Sequence, residues 1–132
     1  MTAEEIIQQW MDTCCSTIKS YDHAGHMNQI SKSVQVYGIP GFEVIGYDDW
    51  FKQCEYEFND KLVKSASYQG LKIKHEEDNK IMFLTIETIN ATDGNSEERG
   101  IEILLIKEED GHWRVVQERL INAIEIARAG LM

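Results

Sequence analysis

Apolar residues near the N-terminus recur at steps of three and four, which is the spacing of one buried helical face. The stripe consists of Ile7, Trp10, Met11, Cys14, Ile18 and Tyr21. Thr2 and Glu5 precede the stripe with the spacing of a capping box, which stabilises a helix start. The pattern therefore predicts a first helix from about Ala3 to Ser20 with this stripe buried.

A second, short helix is predicted directly after the first. Asp22 supplies its N-cap, and Met27 and Ile30 face inward. A short strand over residues 34–37 follows and ends at the turn that contains Pro40-Gly41, a dipeptide suited to the centre of a type II turn.

A third helix is predicted from Tyr47 or Asp48 to about Asn59, with two aspartates in its first turn that complement the helix dipole. Its apolar face consists of Trp50, Phe51, Cys54 and Phe58. Four strand candidates follow. Residues 65–75 are weakly patterned, whereas residues 80–90, 100–108 and 113–121 are rich in β-branched and aromatic residues. The links at residues 92–95 and 109–112 contain Gly in hairpin positions, so these strands form an antiparallel meander.

Both faces of the strand at residues 100–108 are apolar, whereas a sheet with one wet face would alternate. One face is expected to pack on the first helix. A second copy of the chain is the most economical cover for the other face, so a homodimer through the sheet is predicted. The alternative is that the third helix or the C-terminal tail covers that face. The extension at residues 122–132 has features of both a strand and a helix.

The chain has 132 residues, a length that favours a single domain over residues 1–132. Its net charge of -10 offers no basic stripe, so neither nucleic acid nor an anionic membrane is an expected partner. The acidic N-terminus is unlike a signal peptide, and no apolar run has membrane-spanning length. Three cysteines without an evident pairing indicate reduced thiols, and the predicted location is cytoplasmic.

Several features taken in order resemble the nuclear transport factor 2-like superfamily, over roughly residues 4–121. They are Tyr21-Asp22 after the first helix, Gly46-Tyr47-Asp48-Asp49-Trp50-Phe51 at the start of the third, and the hairpin Asp110-Gly111-His112-Trp113-Arg114-Val115-Val116. The superfamily includes ketosteroid isomerases, scytalone dehydratase and SnoaL-like polyketide cyclases. The resemblance implies an α+β fold in which a strongly curved, mostly antiparallel sheet forms a cone around a pocket, and it implies dimers formed through the sheet.

The resemblance also allows a test for one mechanism, in which a base and two oxyanion donors move a proton beside a carbonyl group. The tyrosine that the ketosteroid isomerases use falls at about Cys14 of this chain, the base aspartate at Tyr37 or Gly38, and the oxyanion aspartate at about Leu105. None of the three groups is present, so this isomerisation is not expected. The fold supports other chemistries.

His26, Tyr37 and Glu118 are the candidate catalytic residues. His26 and Tyr37 are expected near the pocket, where an imidazole and a phenol provide acid and base groups, and the alternative is that both residues are structural. In the register that the resemblance implies, Glu118 shares a face with Val116 and Leu120 and points into the pocket, where burial raises a carboxyl pKa. The alternatives for this glutamate are an ion pair with a basic neighbour such as Arg119 and a position near a solvated strand end. Glu87, on the face of Phe83 and Thr85, has the same alternatives.

Six residues are predicted to line the pocket: Trp10, Cys14, Trp50, Phe51, Leu105 and Val116. The aromatic members either form the apolar wall of a ligand pocket or fill the cone completely. Asp22, His23 and His26 lack a further ligand at metal-binding spacing, so no metal and no cofactor are predicted.

The predicted function is binding of a small hydrophobic or polyketide-like molecule. One alternative is a cofactor-independent lyase, isomerase or cyclase of the SnoaL-like type. A further alternative is a protein-interaction module built on the same cone.

Overall fold

The structure is a computed structural model that describes residues 1–131. Its helices are α1 (Ala3–Lys19), α2 (His23–Met27), α3 (Tyr47–Asn59) and α4 (Ala123–Arg128). Its strands are β1 (Ile30–Tyr37), β2 (Val63–Glu77), β3 (Lys80–Ala91), β4 (Ser96–Lys107) and β5 (Trp113–Ile121). The three predicted N-terminal helices and the four-strand meander are present, so the α+β class is confirmed. Met132, the last residue of the predicted extension, lies outside the described residues.

Local chemistry explains how the first helices begin. Thr2 accepts a hydrogen bond from the Glu5 backbone while the Glu5 side chain accepts one from Thr2, so the predicted capping box of α1 forms. Asp22 caps α2 as predicted. Ile30 was predicted to lie on the second helix, but it is the first residue of β1. β1 is consequently longer than the strand predicted over residues 34–37.

The five strands form one sheet in the order β1-β5-β4-β3-β2. β1 runs parallel to β5, and the other three pairs are antiparallel. The parallel pair joins the first strand in the sequence to the last, which no local turn pattern could show. A β-bulge interrupts the β4–β5 pairing, where Leu104 is opposite Gln117 and Leu105 is opposite Val115.

The inner face of the sheet is defined here as the face that packs on α1. Ile101, Ile103 and Leu105 on β4 are completely buried on this face, as is Phe83 on β3. They form one core with residues of α1 that include Ile7 and Trp10. The apolar stripe predicted for the first helix therefore packs on the middle of the sheet.

The outer face carries the C-terminal helix α4. A Cβ atom placed on Gly100 would lie 2.7 Å from side-chain carbons of Ile126, so the helix rests directly on β4. Arg119 donates hydrogen bonds to Glu125 of α4 at 3.2 and 2.8 Å. The tail thus covers part of the outer face, which is one of the two covers considered for it. Leu104 and Ile106 remain half-buried on this face.

No helix within residues 1–131 is long and apolar enough to cross a membrane.

Candidate functional site

Polar side chains form a row across the inner face of the sheet. Tyr68 on β2 is directly opposite Glu87 on β3, and Glu87 is directly opposite Arg99 on β4. Residues paired across neighbouring strands point to the same side of a sheet, so the three side chains lie side by side. A phenol, a carboxylate and a guanidinium group therefore occupy neighbouring positions on a face that is otherwise apolar.

The Glu87–Arg99 ion pair is the best-defined contact of this row. Arg99 donates to one carboxylate oxygen of Glu87 from Nε at 3.0 Å and from Nη2 at 2.9 Å. The Glu87 side chain is 9% exposed and that of Arg99 is 30% exposed. Burial would lower the pKa of Arg99, but the charges of Glu87 and Glu118 outweigh burial and raise it. Arg99 therefore stays charged, and its charge is directed at Glu87.

Glu118 lies on β5 opposite Ile103, so its side chain also faces inward. Glu118 is 7% exposed. Within residues 1–131, the nearby side chains of Arg99 and Arg119 donate their hydrogen bonds to other carboxylates and not to Glu118. No completely buried side-chain oxygen in this part of the chain lacks a hydrogen-bond partner. The unpartnered carboxyl group must therefore touch space that water can reach.

The pKa of Glu118 is raised to about 8. Burial is the largest cause and the negative charge of Glu87 adds to it, whereas the positive charge of Arg99 lowers the pKa. Most of the Glu118 population is consequently protonated at neutral pH. Glu118 and Glu87 thus form two carboxyl groups on one face with different surroundings, since the second is paired with Arg99 and the first has no partner among residues 1–131.

Two helices cover this polar surface with cysteines and a tryptophan. Burial raises the pKa of the Cys14 thiol on α1, and the charge of Glu87 adds to the effect. Burial raises the pKa of Cys54 on α3 to about 12. The Trp10 ring lies 6.1 Å from the Tyr68 ring. Both thiols are protonated and unreactive at neutral pH, which leaves the carboxyl groups as the titratable groups of the site.

His26 does not face this row. Its Nδ1 lies 2.9 Å from Oγ1 of Thr17, and its ring packs edge-on against Phe58 at 5.6 Å. Burial lowers the pKa of His26 to about 4. The ring is therefore neutral at pH 7 and held between α1 and α3, as in the structural alternative considered for it.

Tyr37 points to the opposite face of the sheet from Glu118. In the parallel β1–β5 pair Tyr37 is opposite Arg119, whereas Val36 is opposite Glu118. The Tyr37 hydroxyl donates to Oε1 of Gln35 at 2.8 Å near the surface. The structure thus does not bring together His26, Tyr37 and Glu118, and only the last belongs to the inner polar group.

The predicted pocket-lining residues fall into three classes. Trp10, Cys14 and Leu105 are buried in the core, and Trp50 and Phe51 are half-buried against it. Val116 is the extra residue of the bulge, and Val115 takes the place opposite Leu105 with no exposure. The bulge shifts the alternation of β5, so the face that holds Glu118 holds Val115 and not Val116.

Two solvent-filled grooves lie outside this site. One, of about 580 Å³, runs between α2, β1 and α3 and is lined by residues that include Met27, Phe51 and Arg114. The other, of about 510 Å³, lies at the start of α3. They share Lys32 and Tyr47 as lining residues. In the larger groove Arg114 is fully engaged with acidic and amide groups, and the smaller groove is lined by Asp48 and Asp49 beside Lys32.

Tyr68, Arg99 and Cys54 were not among the site residues predicted from the sequence, and no definite partner was predicted for Glu87. A signal for the ion pair was present in the hairpin loop, because counting outward from a three-residue loop centred on Asp93 places Glu87 opposite Arg99. Tyr68 could not be found this way, because β2 has irregular pairing near Gly70. In the described part of the chain, no three His, Cys, Asp or Glu side chains are arranged to hold a metal ion.

Comparison with known proteins shows the fold. Neither a family model nor a curated protein sequence matches the chain. ActVI-ORFA from Streptomyces coelicolor is similar in structure, with a TM-score of 0.70 and 9% identity, covering 92% of this chain and 97% of that protein. A Nostoc punctiforme protein of unknown function with a cystatin-like fold has a TM-score of 0.68 and 10% identity, covering 91% and 92%.

A Catenulispora acidiphila protein in complex with S-DNPA has a TM-score of 0.65 and 16% identity, covering 89% of this chain and 92% of that one. These likenesses extend over nearly the whole chain. They confirm the predicted fold, an α+β cone of the nuclear transport factor 2-like and cystatin-like type.

Proposed function

We propose that this protein binds a small molecule with an apolar body between α1, α3 and the inner face of the sheet, with Glu118 as its central polar contact. The observation that carries the proposal is the carboxyl group of Glu118, which is 7% exposed and has no partner within residues 1–131. The carboxyl oxygens are within reach of water, which can hydrogen-bond to them in the free protein. A bound molecule would replace that water and make the hydrogen bond to Glu118 directly.

The surroundings of Glu118 support a ligand that is mostly apolar. Glu118 lies opposite Ile103, and Phe83 and Trp10 belong to the same buried core, so the side chains behind the row of polar groups are aromatic and aliphatic. Small-molecule sites commonly combine such walls with a few well-placed polar groups. The similar protein from Catenulispora acidiphila forms a complex with S-DNPA, so a protein with this fold can hold a small molecule.

A fragment screen observed by protein NMR tests the proposal. Fragments that bind as proposed will shift the Trp10 indole signal and the side-chain carboxyl signal of Glu118, and the Glu118→Gln variant will change their affinities. Glu102→Gln is the matched control, because Glu102 is equally buried but lies on the outer face. Binding confined to the groove at Lys32 and Tyr47, or equal effects of the two variants, would contradict the proposal.

Acid–base catalysis is the second candidate, and the pair of unlike carboxyl groups favours it. Glu118, with a pKa of about 8, is mostly protonated at neutral pH, whereas Glu87 accepts two hydrogen bonds from Arg99. Two carboxyl groups in different surroundings are a common arrangement for a general acid and a general base. In this candidate Glu118 keeps its predicted role, and Glu87 takes the place of His26 and Tyr37.

A cofactor-independent lyase, isomerase or cyclase of this kind would exchange a carbon-bound proton of its substrate with solvent. A panel of ketones incubated in D₂O and followed by NMR would show deuterium incorporation that Glu118→Gln and Glu87→Gln each abolish. Incorporation that survives both substitutions would exclude these residues as the proton-transferring groups.

A homodimer through the outer face is also proposed. Met82, Leu104 and Ile106 form a half-buried apolar surface there, beside the part that α4 covers. Sedimentation of the wild type is expected to show a dimer, and Leu104→Glu a monomer with an unchanged fold. Glu98→Lys, on an exposed position of the same strand, is the control. A monomeric wild type would favour a different protein partner for this surface.

The three cysteines are unpaired, and Cys14 and Cys54 are buried. Reduced thiols are typical of reducing compartments, and we therefore propose a cytoplasmic location.

A further inference from the structure

The charged groups around Glu118 are mostly acidic. On the inner face Glu87 and Glu118 provide two carboxyl groups, and Arg99 provides one guanidinium group. Arg99 donates to Glu87 and also lies 3.9 Å from Glu97, so its charge is shared between two other carboxylates. When Glu118 is ionised, the inner group has one negative charge without a partner.

The approach to the site is acidic as well. Glu57 on α3 is half-buried, and burial raises its pKa. The charge of Arg99 lowers this pKa, and the charge of Glu97 raises it. Glu97 lies 3.9 Å from Arg99, and the charges of both residues act on Glu57, so two further carboxyl groups lie near Arg99. The whole chain carries a net charge of -10, so its field attracts cations and repels anions.

From this arrangement we infer that the small molecule held at Glu118 is a protonated amine with an apolar body, an inference that rests on the proposed binding function. An ammonium group would supply the hydrogen-bond donors that the Glu118 carboxylate lacks and would neutralise the unpaired charge. The Trp10 and Tyr68 rings pack 6.1 Å apart beside the row of polar groups, and aromatic rings attract cations. A carboxylate or phosphate would instead add a negative charge beside two glutamates.

The inference predicts a specific dependence on pH. The titratable and charged groups near Glu118 come from two helices and three strands. They are Cys14 on α1, Cys54 on α3, Tyr68 on β2, Glu87 on β3 and Arg99 on β4. Burial raises the pKa of both thiols and of the phenol, so none of these three ionises near neutral pH. Amine affinity is therefore expected to rise as Glu118 loses its proton near pH 8. A neutral ligand whose oxygen accepts a hydrogen bond from protonated Glu118 would instead bind more weakly as the pH rises.

Matched sets of probes test the inference. Each set has one aromatic body, phenyl, naphthyl or indolyl, carrying in turn an aminomethyl, a hydroxymethyl or a carboxylate group. Affinities are measured by calorimetry between about pH 6 and pH 9 at low salt, and the binding site is read from the NMR signals of Glu118 and Trp10. Above about pH 8, where Glu118 is ionised, the amine is expected to bind at least about tenfold more tightly than the alcohol, and the carboxylate most weakly.

Glu118→Gln should remove the preference for the amine and its dependence on pH, while leaving the affinity of the alcohol within about twofold. Glu102→Gln should leave all three affinities unchanged. An alcohol or carboxylate that binds at Glu118 as tightly as the matched amine would overturn the amine inference and leave the proposed binding function standing. If no member of any set shifts the Glu118 signal, both proposals fail.

Discussion

Arg99 donates from both Nε and Nη2 to a single oxygen of Glu87, at 3.0 and 2.9 Å, across two strands that the hairpin at Asp93-Gly94 connects. The pair lies on the inner face of the sheet, where the carboxylate is 9% exposed. Its neighbour Glu118 receives no such partner within residues 1–131. The difference between these two glutamates underlies both the proposed site and its pH dependence.

Replacing Arg99 by Met would leave Glu87 buried without its ion partner. We expect a loss of about 3 kcal/mol in the free energy of unfolding, because an unpaired buried charge is costly. The double variant Glu87→Met/Arg99→Met should recover most of this loss, and chemical denaturation of the four proteins gives the coupling energy. Lys74→Met, which removes a cation that is 44% exposed, is the control and should cost less. Additive effects of the two substitutions would show that the pair does not interact.

Glu118→Gln should change how stability depends on pH. The folded pKa of Glu118, about 8, lies above the ordinary value of 4.5, so the folded state holds its proton more tightly than the unfolded state. Stability is therefore expected to fall as pH rises between these values, at up to about 1.4 kcal/mol per pH unit, and the variant should lack this loss. Urea unfolding at several pH values measures the difference. A constant difference between the two proteins would show that Glu118 titrates normally.

Glu102→Gln should behave in the opposite way. Burial alone would raise the pKa of Glu102, but hydrogen bonds from Arg119 and Lys74 outweigh burial and lower it. Its contribution to stability is therefore present above the ordinary pKa and lost as pH falls through the lowered one. The variant is expected to be less stable than the wild type by about 1–3 kcal/mol at neutral pH, and the gap should narrow in acid. A gap that widens in acid would contradict the assignment.

Gly100→Ala is expected to loosen α4. The new Cβ would lie 2.7 Å from carbons of Ile121 and Ile126, and overpacking of this kind costs about 1–3 kcal/mol. Hydrogen exchange of residues 123–128 should accelerate, while exchange in β3 and at the centre of β4 stays unchanged. Gly46→Ala is the control, because nothing lies within 4 Å of its added Cβ. Unchanged exchange in α4 would show that the helix does not depend on this contact.

His26 is expected to remain neutral down to about pH 4, because burial lowers its pKa to that value from 6.5. The stability that follows from this shift is complete above pH 6.5 and is lost between pH 6.5 and 4, where the unfolded state binds the additional proton. NMR of the imidazole carbons measures the titration, and His26→Gln should remove this part of the pH dependence. A ring that titrates near its ordinary pKa would contradict the buried position beside Thr17.

The predicted helices and strands agree with the structure because their signals are local. Thr2 and Glu5 form their capping box, and Trp113–Ile121 is a strand with the predicted limits. Apolar residues that recur every three to four positions indicate a helix, and those that recur every second position indicate a strand. Both patterns depend only on neighbours in sequence. Val116 shows where this reasoning fails, since one extra residue in β5 shifts the alternation and the bulge depends on pairing with Leu104 and Leu105.

The candidate site depended on contacts between distant parts of the chain. Glu118 was identified as inward-facing from its strand, but its lack of a partner follows from the positions of Arg99 and Arg119 on other faces and strands. Tyr37 was placed near the pocket because it ends β1, whereas the parallel pairing with β5 turns its side chain to the outer face. The C-terminal extension had mixed signals, and its helix is fixed by Asn122 and Glu125 together with the contact on Gly100.

The sequence by itself determined the α+β class, the order of the elements as far as residue 121 and the acidic character of the chain, because periodicity, capping, turn residues and charge are properties of short segments. The tertiary structure alone decided which carboxyl groups are paired. Glu87, Glu102 and Glu118 are all buried, yet two of them meet cations and the third does not. Coulombic attraction and desolvation act through space and depend on distance and burial. Strand pairing and the curl of the sheet set those distances.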